Sequence, residues 1–369
     1  MRVRSTCLVL VAFGFVTAFG CSSSDDAASQ GPGGSAPDGG GSASDGAPTN
    51  DGSGPNPGNE GGSAIGLAMK YPGDVGIDKD PAFVWGENFE EATVAALDAR
   101  YDSENNPTGI TFATDVPAKS SGKATGKFTA GGASSATDLY KKLSDAGYDE
   151  LFVRYYAKYQ ANAAWHHTSV WIGGYNPALA YPDPQAGLKP TGSDRFAVAL
   201  EPIYGVGSPH PEMDFYDYWM GMHSWMDVPS GSTAYYGNAV VHQASLVVDD
   251  DAWMCIEMHV KINSDPSSTT GGELGLWKND ISIQQFSSAA PTGYWIKDKF
   301  CPTGADSTEC TDYPPASGTA MIPLDLQWRS AAALKLNYFW PQNYITDPTT
   351  GVVEYDDMIV ATSRVGCLE

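Results

Sequence analysis

Along "WMCIEMHVKI", residues 253 to 262, Met254, Ile256, Met258, Val260 and Ile262 are apolar without a break, and Trp253, Cys255, Glu257, His259 and Lys261 take the alternate positions. A period of two sends these sets to opposite faces of one strand. "ELFVRYYAKY", "RFAVALEPIY", "ELGLWKNDISI", "ALKLNYFW" and "VEYDDMIVAT" are further short runs rich in β-branched and aromatic residues, divided by Gly, Pro, Asn and Asp turns. Strands with one greasy and one polar face belong to a two-sheet antiparallel sandwich. One segment reads differently. In "SSATDLYKKLSDAG" Ser135 is placed to cap, Asp138 follows three residues later and Gly147 to stop, which predicts the single short helix of an otherwise all-β domain.

The ends of the chain follow another logic. Two arginines, an apolar run of about fifteen residues and then small residues describe an export signal over residues 1–20, since a bilayer span needs about twenty apolar residues. Ala18-Phe19-Gly20-Cys21 looks like a lipobox, which makes Cys21 the acylated first residue of an outer-membrane or cell-surface lipoprotein. Residues 22 to 63 hold no Val, Ile, Leu, Phe, Tyr or Trp. Such a stretch cannot bury enough apolar surface to offset its ordering entropy, so residues 21–63 are expected to be a lipidated, disordered linker and residues 64–369 the domain.

Six of the 44 acidic residues lie in the linker and two of the 21 basic residues in the signal, which leaves the domain 38 acids against 19 bases. That balance argues against nucleic acid as a partner. Cys301 and Cys310 stand nine apart across "CPTGADSTEC" and are expected to be bonded in an oxidising compartment, with Cys255 and Cys367 left as a further possible pair. No zinc or nucleotide motif occurs. Asp356 and Asp357, with Glu87 or Glu90, are an oxygen-rich set for a structural calcium ion.

Three blocks carry a resemblance: "YDELFVRYYAKYQANAAWHHTSVWIGGYN", "WMCIEMHVKINSDPSSTTGGELGLWKND" and "LKLNYFWPQNYITDPTTGVVEYDDMIVATSRVG". They resemble the concanavalin-like jelly-roll group around polysaccharide lyase family 14, which includes alginate lyases, and bacterial surface proteins of that group. The resemblance implies a jelly roll acting on an extracellular uronic-acid polysaccharide. The lyase pattern has a Ser-x-Arg on one strand, here Ser193 and Arg195, and a Tyr-x-Tyr on the next, here Tyr216 and Tyr218. Where those lyases place a lysine before a Gly-rich turn, this chain has His167 with His166 beside it.

β-Elimination asks for a cation on the uronate carboxylate, a base for the proton α to it and an acid for the departing oxygen. Arg195 and a histidine suit the first role. Tyr216 or Tyr218, lowered in pKa by a nearby cation, suits the other two. Ser193, His166, Trp171, Trp219, His259 and Lys261 are candidate substrate contacts, the indoles as stacking surfaces. The same stretch, "PEMDFYDYWMG", also holds Glu212, Asp214 and Asp217, close to a retaining-hydrolase carboxylate strand. Five positions separate Glu212 from Asp217, which a regular strand sends to opposite faces. The other alternative is a surface protein that binds polysaccharide without cleaving it, through exposed Trp and Tyr rings such as Trp165, Tyr175, Trp225 and Trp277.

Overall fold

The computed structural model describes residues 66–132, 135–163, 165–181, 186–204, 210–224, 226–227, 233–346 and 348–369. The signal, the linker, Cys21 and Trp225 lie outside the described residues. The larger sheet contains β1 (Phe83–Glu87), β3 (Ile110–Ala113), β4 (Thr125–Ala130), β6 (Glu150–Tyr159), β12 (Met254–Lys261), β13 (Glu273–Lys278), β14 (Ile281–Phe286) and β19 (Gly351–Ala361). Its order is β14-β13-β12-β6-β19-β4-β3, with β1 also on β19. The smaller sheet contains β2 (Ser103–Asn105), β5 (Ser135–Lys142), β7 (Thr168–Tyr175), β8 (Arg195–Tyr204), β9 (Glu212–Phe215) and β18 (Tyr338–Ile345), in the order β2-β5-β18-β7-β8-β9. All of these pairings are antiparallel, and the two sheets form a concanavalin-like jelly-roll sandwich. Short ribbons β10 (Met226–Asp227) with β11 (Thr233–Ala234), and β15 (Thr292–Ile296) between β16 (Lys299–Pro302) and β17 (Ile322–Pro323), decorate it.

Alternation builds the core as expected. Met254, Ile256, Met258 and Val260 of β12 are fully buried together with Val153 and Tyr155 of β6 and Phe196, Val198 and Leu200 of β8. Asn343 of β18 reaches across the sandwich, its Nδ2 donating to the carbonyls of Phe128 and Gly351 at 3.0 Å each.

The expected helix is absent. Residues 135–142 form β5, hydrogen-bonded to β2 on one side and β18 on the other. Leu139 and Tyr140 are both buried although they point to opposite faces, which suits a strand between two neighbours and not a one-sided helix. Ser135 Oγ accepts from Gly131 N within the preceding turn instead of capping a helix. Among the described residues the α-helices are the four- and five-residue pieces Leu67–Lys70, Val94–Asp98 and Thr308–Thr311, with three short 3-10 turns besides.

Both disulfides form: Cys301–Cys310 closes its local loop with Cα atoms 5.7 Å apart, and Cys255–Cys367 ties the C-terminal tail to β12 at 6.0 Å. The outer face of the larger sheet is covered in part by the segment around Leu67, Tyr71 and Ile77 and by Val365 and Leu368 of the tail.

Candidate functional site

The face of the smaller sheet turned away from the core carries the chemistry. Antiparallel register sets Trp171 opposite Ala199, Gly173 opposite Ala197 and Tyr175 opposite Arg195, and on the other side Trp340 opposite Trp171 and Tyr338 opposite Gly173. Tyr216 N donates to Ala199 O, and Tyr218 pairs with Ala197. The tyrosine pair therefore stands beside the small alanines of β8, which separate it from Trp171. Gly173 has to be glycine here, because a Cβ would stand 2.6 Å from the Tyr338 hydroxyl and 2.2 Å from Phe196 O. Gly237 lies against the Tyr216 ring in the same way: a Cβ there would come within 2.4 Å of it.

His167 stands just before β7 with φ 55°, a left-handed conformation, and its ring lies beside Glu201 and Tyr216. Its Nδ1 lies 2.8 Å from Glu201 Oε2. The imidazole is 5.0 Å from the Tyr216 ring, 5.7 Å from Tyr344 and 4.0 Å from His166. Tyr218 Oη donates to Tyr216 Oη at 3.5 Å, the outer limit of such a bond. Tyr216 and His167 are half-buried, whereas Tyr218 is 2% exposed beneath them. Burial and the charge of Glu201 push the Tyr216 hydroxyl up to about 12, with Tyr218 bonded to it pulling the other way, and push Tyr218 further still. Both are protonated at neutral pH, opposite in direction to the lowered values expected for proton-abstracting tyrosines. Burial first, then His167, lowers the His166 pKa to about 4, so that ring is neutral.

His166, His167, Trp171, Tyr216 and Tyr218 are thus brought together. Arg195 is not: it pairs with Asp194 at 3.0 Å at the Tyr175 and Tyr338 end of the row. Ser193 is an exposed loop residue before β8. The register explains the difference, since the β8 positions facing Tyr216 and Tyr218 are Ala199 and Ala197. Trp219 is 1% exposed, its Nε1 donating to Asp325 O and its ring packed on Trp295 and Trp328. His259 and Lys261 lie on the far sheet, where His259 bonds Glu150 and stacks on Phe152 and Lys261 pairs with Glu273. Alternation correctly separated them from the apolar set of β12 but did not say which outer face they occupy.

Glu201 is the residue sequence reading missed. It stands inside "RFAVALEPIY" in the same alternate set as Arg195, Ala197 and Ala199, and an acid following two alanines in that row was the available signal. The carboxylate strand is accounted for structurally. Asp214 accepts backbone N–H groups from Phe215, Val240, Val241 and His242, and Asp217 is fully buried with its pKa raised by desolvation. Among the described residues, His242, Cys301 and Cys310 are the one group of three potential metal ligands whose atoms fall within 4.8 Å of one another, and the two sulfurs are bonded to each other. Asp356, Asp357, Glu87 and Glu90 do not form such a group.

The fold and these side chains define a jelly-roll protein whose smaller sheet carries aromatic rings beside a carboxylate–histidine–tyrosine cluster. No family model matches the chain, and no curated protein does. Among solved structures it is similar in fold to the marine PL-14 alginate lyase from Aplysia kurodai, with 13% identity and a TM-score of 0.46 over 76% of this chain and 99% of that one. It is also similar to the endo-β-1,4-glucuronan lyase from the fungus Trichoderma reesei, with 10% identity, a TM-score of 0.38 and coverage of 76% and 95%. A carbohydrate esterase from a Shiga toxin-encoding bacteriophage matches with 11% identity, a TM-score of 0.37 and coverage of 76% and 98%. Lyases and an esterase share this likeness, which is one of fold.

Proposed function

We propose that the protein is a polysaccharide lyase that cleaves an extracellular uronic-acid polymer by β-elimination, held at the cell surface through acylated Cys21. The observation that carries the reaction is the contact of buried Glu201 with His167 Nδ1 beside the Tyr216 ring. A carboxylate accepting from Nδ1–H leaves the imidazole lone pair on Nε2, which makes His167 the base. Nε2 takes the proton α to the uronate carboxylate, the electron pair forms the carbon–carbon double bond, and the glycosidic C–O bond breaks. Tyr216, protonated at neutral pH, gives its proton to the leaving oxygen, and Tyr218 is placed to hand it another. Neutral His166 offers a ring N–H to the substrate carboxylate.

The test follows the ultraviolet absorbance of unsaturated product on alginate, polyglucuronate and mixed uronate polymers. Wild type is expected to produce it on at least one polymer. Tyr216→Phe and His167→Asn are expected to lower the rate by at least about a hundredfold, the usual scale of a lost acid or base. A protein that binds one polymer and yields no unsaturated product from any is a binding module, which is the second reading that the aromatic rings support. For the anchor, mass spectrometry of the mature N-terminus should find a diacylglyceryl-modified Cys21, and an unmodified terminus elsewhere rejects the lipoprotein assignment.

A further inference from the structure

Another histidine, His242, is buried beside the Cys301–Cys310 disulfide. It is 1% exposed, and a ring nitrogen and the two sulfurs all fall within 4.8 Å of one another. Its backbone takes φ 52°, a left-handed conformation that costs a non-glycine residue energy and is kept only where neighbours enforce it. Asp214 is one such neighbour: Oδ2 accepts the His242 N–H at 2.8 Å and lies 3.8 Å from Nδ1. Ser307 Oγ stands 3.3 Å from the same ring nitrogen. Two buried polar groups therefore fix how the imidazole is turned.

The cysteines are held against His242 by bonds that do not involve sulfur. Cys301 pairs with Tyr294 in the ribbon of β15 and β16, and Phe300 N donates to Ala239 O at 2.9 Å. Asp306 N and Ser307 N both donate to His242 O, at 3.0 and 3.1 Å, and Ala244 N donates to Asp306 Oδ1 at 2.7 Å. Cys310 lies in the helical turn Thr308–Thr311, its N–H on Ser307 O at 3.2 Å. Opening a disulfide between cysteines nine positions apart breaks none of these bonds.

We propose that Cys301, Cys310 and His242 are a redox-gated site for a thiophilic divalent ion, zinc, closed while the sulfurs are bonded and opened by a dithiol reductant. The reductant gives two electrons and two protons to the Sγ–Sγ bond and leaves as its own disulfide. Zinc then displaces the two thiol protons to solvent and forms two Zn–S bonds and one Zn–N bond, with water in the fourth tetrahedral position. Zn–S bonds of about 2.3 Å put the sulfurs roughly 3.8 Å apart, a separation inside the 4.8 Å span of the group. Two thiolates and an imidazole suit zinc, whereas calcium and magnesium take oxygen ligands. None of the three ligands belongs to the proposed lyase centre.

The test reduces the folded protein with a dithiol, removes the reductant without oxygen and titrates zinc against a chromophoric chelator. Reduced wild type is expected to hold one zinc that the oxidised protein does not bind, and His242→Ala and Cys310→Ser should each weaken it by at least about tenfold. No zinc in reduced wild type, or unchanged affinity in either variant, overturns the site. A reduced chain that loses its fold, read by circular dichroism, also overturns it, since the loop bonds would then not hold the ligands. X-ray absorption of zinc-loaded, reduced wild type reads the ligands directly and decides the matter if a variant does not fold. Two sulfurs with one imidazole support the site, and a shell without imidazole overturns it.

Discussion

At the residue scale the cluster turns on Glu201, which is bonded to His167 and, in the reaction proposed above, acts through that imidazole. Its burial makes the carboxylate an expensive group to keep unless it is bonded, and the His167 imidazole is the partner it has. Glu201→Gln preserves the shape but no longer favours the proton on Nδ1. The expected result is a fall in kcat of about a hundredfold or more with KM within a few-fold, the scale seen when a histidine loses its orienting carboxylate. Ring-nitrogen chemical shifts of His167 supply the second readout, and a variant with the wild-type tautomer and full kcat would remove Glu201 from the mechanism. Tyr218 lies buried under Tyr216 and donates to its hydroxyl at 3.5 Å, the contact through which the proposed mechanism returns a proton to Tyr216.

At the scale of elements, the two disulfides do unequal amounts of constraining. Cys255 and Cys367 are 112 residues apart and Cys301 and Cys310 nine. In the chain-entropy account the longer loop removes more freedom from the unfolded chain, by about 2 kcal/mol between loops of these sizes. Cys367→Ser is therefore expected to destabilise more than Cys310→Ser in urea or guanidinium unfolding, and the reverse order would show that local packing outweighs loop entropy. The longer bridge also fixes the tail that supplies Leu368 to the cluster with Tyr156, so its loss should speed exchange of the Leu368 amide, which is bonded to Tyr156 Oη at 2.8 Å. β5 teaches a different lesson. Its cap-and-stop signals are those of a helix, but β18 along most of its length and β2 at Asp138–Tyr140 pair with it as a strand.

For the whole molecule the dominant electrostatic fact is an acidic chain with carboxyls inside it. Desolvation raises Asp138 and Asp298 to about 6, and also raises Glu87, Asp356 and Asp357, the last two as adjacent acids in one strand. A folded-state value above the unfolded one means a contribution that is complete below about pH 4 and lost as pH climbs through the folded-state values. The net charge of −23 adds self-repulsion in the same direction. Melting temperature is expected to peak on the acid side of neutrality, near pH 5, and to fall towards pH 9. Below that peak, stability should drop as acids held down by partners, such as Asp80 by Lys70, gain protons. Calorimetry across pH 4 to 9 decides it, and a curve that rises from pH 5 to 9 would contradict the burial of these acids.

Much of this was legible in the residues alone. "ELFVRYYAKY" and "RFAVALEPIY" are β6 and β8 to the residue, because runs rich in β-branched and aromatic side chains between turn residues favour strands. His167 and Tyr216 were singled out through the family resemblance and Trp171 as a candidate stacking ring, not by the strand pattern. Tertiary structure decided the rest. Which β8 residues face Tyr216 depends on interstrand register, and that is set by side chains across the whole sheet, so Ala197 and Ala199 hold the places expected of Ser193 and Arg195. Which outer face carries the cluster depends on which one the segments around Tyr71 and Val365 cover, and that sent His259 and Lys261 to the other side. Glu201 became part of a site only when the turn at His167 folded an imidazole over it, a contact between residues 34 apart that no local pattern records.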